Sequence, residues 1–214
     1  MKRLGYVYLL TLLWLTQSNV YAIRNCVWIG NTSTLWSEPL NWDSNPAIPG
    51  ETDSARVFFY TPTSSLFMPI VDVAQPSGAN RIQQLTFTNA NWTIGGTATL
   101  TLDVGSANSL GYDTSTPYIK SSGIGTNVIS GPIVLGSGSQ GNAVISSYTN
   151  SVLRLGSDIS YTGVARNVML SGGGTIILNG AFRGADLILL GNTSLALANP
   201  LGEAYIPARG LKLR

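Results

Sequence analysis

Beyond its N-terminal segment the chain is dominated by short stretches of period-two alternation, separated by clusters of Gly, Asn, Ser and Pro. Thr99-Leu100-Thr101-Leu102-Asp103-Val104 places Leu100, Leu102 and Val104 on one face and Thr99, Thr101 and Asp103 on the other. Gln84-Leu85-Thr86-Phe87-Thr88 repeats the arrangement with Leu85 and Phe87. The same reasoning predicts strands at 55–60, 127–130, 132–135, 143–146, 151–155, 167–170, 175–178, 186–190 and 194–198. β-Branched and alternating residues of this kind suit a pleated surface with one buried face. No stretch after the N-terminus reads as a helix, so the pattern predicts an all-β protein. Inward positions such as Leu100 and Ile177 are expected to be the sensitive ones, because an Asp at either would bury an unpaired charge.

Two regions differ in texture. Residues 23–80 hold Trp28, Trp36 and Trp42, most of the prolines, and long irregular connections. Residues 81–214 run strand, turn, strand, turn, with Gly and Asn at strand ends and few aromatics. Spacing of this kind fits a β-sandwich, but tight glycine corners and small residues throughout favour a β-solenoid whose coils stack on one another. Gly174-Thr175-Ile176-Ile177-Leu178-Asn179-Gly180 and Asp186-Leu187-Ile188-Leu189-Leu190-Gly191-Asn192 look like successive variants of one unit. The expected organisation is an irregular Trp-rich N-terminal cap over 23–80 followed by solenoid repeats over 81–214, apparently ending within a repeat.

Residues 1–22 stand apart. Met1-Lys2-Arg3 precedes an apolar run of roughly a dozen residues and then Gln17-Ser18-Asn19-Val20-Tyr21-Ala22, the layout of a secretory signal peptide. The run is shorter than the about 20 residues a membrane-spanning helix needs; an uncleaved anchor is the alternative. The mature chain is expected to start near Ile23, outside the cytoplasm, with no membrane span. Export changes the reading of charge as well. The whole chain has twelve Lys and Arg against ten Asp and Glu, and Lys2 and Arg3 account for the excess, so the mature chain is formally neutral. Neutrality argues against nucleic acid and against anionic lipid as partners. Charged residues are 10% of the sequence, well below the roughly 25% of an ordinary soluble domain, and residues 121–153 contain none.

Several chemistries drop out on residue types alone. There is no histidine, which excludes Ser-His-Asp and Cys-His arrangements and histidine-based zinc sites. A single cysteine, Cys26, has no partner for an internal disulfide. The residues before it, Ile23-Arg24-Asn25, lack the pattern of lipoprotein processing, so Cys26 is expected to pack as a small hydrophobe. The glycine run Gly172–Gly174 reads as a tight corner, since it lacks the Gly-Lys-Ser/Thr ending of a phosphate loop.

An ordered series of short motifs opens the mature chain: Trp28-Ile29-Gly30, Leu35-Trp36-Ser37, Asn41-Trp42-Asp43, Ile48-Pro49-Gly50 and Asp53-Ser54-Ala55-Arg56-Val57-Phe58. Further on stand Asn127-Val128-Ile129-Ser130-Gly131-Pro132-Ile133-Val134-Leu135-Gly136, Ser171-Gly172-Gly173-Gly174-Thr175-Ile176-Ile177-Leu178, and Asn199-Pro200-Leu201-Gly202. Together they resemble the N-terminal passenger region of proteins with autotransporter-associated β-strand repeats, over most of residues 26–214. The resemblance implies a right-handed parallel β-helix, secreted or displayed at a bacterial surface, with a structural or adhesive role and no shared chemistry. Members usually continue to an outer-membrane barrel or a sorting signal; the sequence at hand has neither motif, which leaves its anchoring open.

Three functional readings follow. The first is a structural or adhesive surface protein without catalysis or cofactor, meeting surface glycans or other cell-envelope components. The second is a carbohydrate-binding module in which Trp28, Trp36 and Trp42 stack on sugars; against it, the same rings would fill and cap the end of a solenoid. The third is a polysaccharide-degrading enzyme. That would require paired carboxylates about 5–10 Å apart, with Asp103, Asp113, Asp158 and Asp186 as candidates and Arg154 or Arg166 as the basic residue, but these are scattered along the sequence. No catalytic, cofactor or metal residues are assigned.

Overall fold

The computed structural model describes residues 23–51, 54–61, 67–74, 82–89, 91–103, 118–136, 143–162, 167–198 and 211–213. The signal-peptide segment, Asp113, Arg166 and the Asn199-Pro200-Leu201-Gly202 motif lie outside them. Strands follow one another in coils. β1 (Ile23–Val27) leads; β2 (Ser54–Phe59) and β3 (Ile70–Val71) form the next coil. β4 (Ile82–Phe87), β5 (Thr93–Gly96) and β6 (Leu100–Asp103) follow, then β7 (Ile119–Ser121), β8 (Gly125–Ile129) and β9 (Ile133–Gly136). β10 (Ala143–Ser147), β11 (Ser151–Leu155) and β12 (Ile159–Tyr161) make the next, and β13 (Asn167–Ser171), β14 (Thr175–Leu178) and β15 (Phe182–Arg183) the one after. β16 (Asp186–Leu189), β17 (Ser194–Leu197) and β18 (Leu211–Leu213) complete the series.

From β2 on, no strand pairs with the next in sequence; strands pair with their counterparts one coil away, apart from the β4–β6 contact. Three parallel ladders result: β1-β2-β4-β7-β10-β13-β16-β18, β3-β5-β8-β11-β14-β17, and β6-β9-β12-β15. The first and third join in one sheet through Ile82 and Leu102. The chain is a parallel β-solenoid, and the hairpin ladders of a sandwich are not seen among the described residues. Register partners stack inward, as in the column Cys26, Val57, Leu85, Ile119, Ile145 and Leu170, all buried. Successive members of the later part of that column are about 25 residues apart, a usual solenoid period.

The ladder begins well before residue 81. β1, β2 and β3 are already rungs, so part of the region expected to be irregular is solenoid. A second expectation is corrected at β14. Leu100 is buried as expected, but Ile177 lies on the outer side, in register with Arg154 and Ala196, and is only partly buried. The inward residues of that strand are Ile176 and Leu178. Three consecutive apolar residues hide the parity, which the corner fixes. At Gly174 a Cβ would collide with the carbonyl oxygens of Tyr148 and Ser151, so the chain turns here only on glycine.

Two further features complete the packing. Val144, Met169 and Ile188, register partners on the outer side of the first ladder, are also buried, so this ladder is covered on both sides over β10, β13 and β16. Inside, a polar knot interrupts the aliphatic core. Asn127 Nδ2 donates to Ser121 Oγ at 3.0 Å, Ser121 and Ser151 hydroxyls meet at 2.7 Å, and the Trp92 N–H donates to Asn127 Oδ1 at 3.1 Å. Buried polar groups persist where each finds a partner, and these tie the corner between the first two ladders.

Candidate functional site

The three tryptophans singled out in the sequence come together at the N-terminal end of the solenoid. Trp28, Trp36 and Trp42 are 2%, 0% and 1% exposed. The Trp42 ring stands edge-on to both others, with centroids 4.9 Å from Trp28 and 4.6 Å from Trp36. Trp36 reaches Phe59 at 6.3 Å, and Phe59 continues to Phe87 and Trp92 at 5.2 Å each, so the rings grow into the core as one aromatic column. Such offset and edge contacts add about 0.5–1.5 kcal/mol per pair beyond burial. No open aromatic face remains on these rings for a sugar to stack on.

Their polar edges are used locally. Trp28 Nε1 donates to the Phe67 carbonyl at 2.7 Å and Trp42 Nε1 to the Trp36 carbonyl at 2.8 Å. Trp36 Nε1 has no acceptor. Gly30 explains the Trp-x-Gly spacing. It has φ of 51°, and a Cβ there would stand 2.6 Å from Trp28 Nε1 and 2.8 Å from the Phe67 carbonyl oxygen.

Asn41 organises the loop that carries these rings. Its fully buried side chain accepts from the N–H groups of Thr32 (2.9 Å) and Ser33 (3.0 Å) and donates to Ser33 Oγ (3.0 Å) and the Leu35 carbonyl (2.9 Å). Every donor and acceptor site of the amide is filled. Asn41 closes a short 3₁₀ turn, Pro39–Asn41, capped by Glu38, whose Oε1 accepts from the Leu40 N–H at 3.0 Å. Proline at the first helical position supports the turn.

The same loop seals the outer edge of the sheets. Residues 34–36 add a last rung beyond β3, with the Ile70 N–H donating to Thr34 O at 2.7 Å and the Trp36 N–H to Ile70 O at 2.9 Å. On the far side of that rung, the Leu35 N–H donates to Ser33 Oγ at 3.2 Å and the Leu35 carbonyl accepts from Asn41 Nδ2. At the end of β1, Val27 donates its N–H to Asp43 Oδ1 at 2.6 Å and accepts from the Asp43 N–H at 3.1 Å. Unpaired edges are templates for further strands, and here side chains occupy the edge at Leu35 and at Val27. In the sequence, the Asn41-Trp42-Asp43 motif gives no sign of these tasks of Asn41 and Asp43.

Asp72 braces the cap from β3's end. Its carboxylate accepts from the Ser37 N–H at 2.9 Å and from the Ser37 hydroxyl. Partial burial acts to raise its pKa, but these hydrogen bonds outweigh it and hold the carboxyl below the usual carboxylate range. A depressed folded-state pKa stabilises above the ordinary value and is lost as pH falls through the folded one. Tryptophan fluorescence during acid titration should therefore shift to the red as the pH drops through and below the ordinary carboxylate range. In Asp72→Asn this component should vanish.

Cys26 is a buried free thiol in the inward column. Burial pushes its pKa up, against the pull of a hydrogen bond with Ser44 and the charge of Arg24, which suppresses the reactive thiolate. Of the carboxylate candidates, Asp113 lies outside the described residues and the other three belong to different rungs. Asp103 ends β6, Asp158 precedes β12 and faces Arg183 at 3.7 Å, and Asp186 begins β16 and is buried. Arg154 is exposed on the outer side of β11. Among the described residues no three His, Cys, Asp or Glu side chains cluster as metal ligands, and no helix is long and apolar enough to cross a membrane. Comparison of the chain with protein-family models, with curated proteins and with solved structures yields no match.

Proposed function

We propose that this chain is an exported structural or adhesive β-solenoid of a bacterial cell surface, without catalysis or cofactor, meeting surface glycans or other envelope components. The observation that carries this reading is the use made of the N-terminal motifs. Trp28, Trp36, Trp42, Asn41 and Asp43 spend their rings and hydrogen-bonding groups on closing one end of the coil. Residues committed to an end seal are not free to hold a ligand, which weighs against the carbohydrate reading built on the same tryptophans. The basic, apolar and small-residue succession of residues 1–22 supports export, and the neutral, charge-poor mature chain suits a surface scaffold.

The test is to produce the full chain in a bacterial host and follow it. Exported material whose N-terminus lies near Ile23, accessible to protease or antibody on intact cells, is the expected result. Material retained inside and still starting at Met1 would overturn the export reading. A glycan array addresses the rival: saturable binding to a defined sugar, lost in a still-folded Trp42→Ala protein, would replace the structural reading with a carbohydrate-binding one.

A further inference from the structure

The first ladder keeps one column of each strand inward, so alternate residues face outward. In β2, Arg56 and Phe58 face outward between the buried Ala55, Val57 and Phe59, and Tyr60 continues on the same side. β4 adds Gln84 and Thr86, in register with Arg56 and Phe58, and β7 adds Lys120 beside Thr86.

Two polar atoms on this side are left over. Arg56 Nε is shielded from solvent and has no hydrogen-bonding partner among the described residues. Its register neighbours, Asn25 and Gln84, are neutral carboxamides. Thr86 is 5% exposed, and its hydroxyl likewise has no partner among the described residues. Buried polar groups are nearly always paired, so two orphans on one side of one sheet call for a reason. The charge is one-sided as well. From β1 to β13 the strands of this ladder contain no Asp or Glu. Arg56 and Lys120 therefore face no counter-charge from their own or adjacent strands. Lys120 rests instead over the Tyr148 ring, with Nζ 5.1 Å from the centroid.

An aromatic surface stands beside these groups. The Tyr60 ring is 50% exposed and nearly parallel to that of Phe58, with 8° between the planes and 6.1 Å between the centroids. The Tyr60 carbonyl accepts from Trp92 Nε1, which anchors the backbone under the exposed ring.

We propose that the outward side of β2, β4 and β7 binds an acidic polysaccharide, with a uronate carboxylate on Arg56 and a pyranose ring against Tyr60. A guanidinium takes a carboxylate through two parallel N–H donors. An aromatic face takes the apolar C–H side of a sugar ring. The Gln84 amide and the Thr86 hydroxyl supply donors and acceptors for sugar hydroxyls. Arg56, Phe58 and Tyr60 stand two residues apart, about 7 Å each along the strand, so a glycan laid along β2 meets all three. A neutral glycan would leave Arg56 unpaired, and a peptide adding by strand pairing needs a sheet edge rather than a face. The site uses none of the three cap tryptophans. It gives the glycan partner of the proposed function a location, and rests on that reading for the source of the glycan.

Isothermal titration of the purified full chain with an oligogalacturonate tests this, with a neutral glucan of equal length and poly-glutamate as controls. The oligogalacturonate is expected to bind saturably and more weakly at high salt, and the controls not to bind. Arg56→Gln should weaken binding about tenfold, the scale of a charged hydrogen bond. Tyr60→Ala should weaken it about fivefold, with circular dichroism unchanged. If Arg56→Gln fails to fold, Tyr60→Ala decides, since that ring is half exposed. No binding of the oligogalacturonate, full retention of binding in the folded variants, or equal binding of the neutral glucan overturns the proposal. Equal binding of poly-glutamate overturns the glycan as occupant in favour of an acidic peptide. Titration of purified protein does not depend on export. Failure here leaves the structural scaffold standing, and retention of the chain inside the cell overturns export without changing the titration.

Discussion

Trp36→Ala is expected to cost about 3–5 kcal/mol, the usual range for removing a large buried aromatic, and to release the N-terminal end of the solenoid first. Trp36 is fully buried and touches both neighbouring tryptophans and Phe59. Its removal leaves a void between the cap and the first complete coil. In a solenoid each coil contacts only its neighbours, so the loss is local before it is global. Urea unfolding followed by tryptophan fluorescence should show an early transition in the variant, ahead of the loss of β-sheet circular dichroism. Trp36→Phe should be much milder, because the indole N–H of Trp36 has no acceptor to lose. Trp42→Phe should be worse than Trp36→Phe, because it also strips the Trp36 carbonyl of its donor. A Trp36→Ala protein within about 0.5 kcal/mol of wild type, the range of ordinary surface changes, would mean that the ring is not part of the core.

The repeating part of the fold was legible because its alternation is clean. Leu85 and Phe87, and Leu100 and Leu102, are each separated by a polar residue, and all four are buried. The two- and three-residue rungs β3, β7, β12 and β15 were not, nor was β5. β3 and β15 have two residues each, and β5 ends in Gly95-Gly96, where no side chain marks a face. β1 was hidden for another reason. Its inward side carries Cys26 together with Arg24, while Ile23 on the other side is exposed, so polarity and burial run against each other. The cap was legible as motifs but not as an arrangement. Aromatic rings on an irregular loop have no period, so sequence alone left capping and sugar binding both open. The role of Asn41 left even less trace, because a buried asparagine in a loop is recognisable only from the backbone groups around it. The joining of the tryptophans depends on those groups, since Asn41 fixes the path from Thr32 to Leu35 that delivers Trp36.

Ile176→Asp and Ile177→Asp are adjacent substitutions with opposite expected outcomes. Ile176 is fully buried, in register with the inward Leu153 on one side and Leu195 on the other. A carboxylate there is cut off from water and from any partner, and the loss should be about 3–5 kcal/mol, as for other uncompensated buried charges. Leu100→Asp should behave alike, for Leu100 is equally enclosed. Ile177 points the other way, between Arg154 and Ala196 on the outer side of the sheet. An Asp there stays hydrated and gains an oppositely charged cross-strand neighbour in Arg154, a pairing worth about 0.2–1 kcal/mol. That offsets part of the packing lost with the isoleucine, and the net change should be within about 1 kcal/mol. Urea midpoints of the three variants distinguish the two sides directly. Equal damage from Ile177→Asp and Ile176→Asp would mean that the register at β14 is slipped by one residue, since a single-residue shift exchanges every inward and outward side chain of a strand.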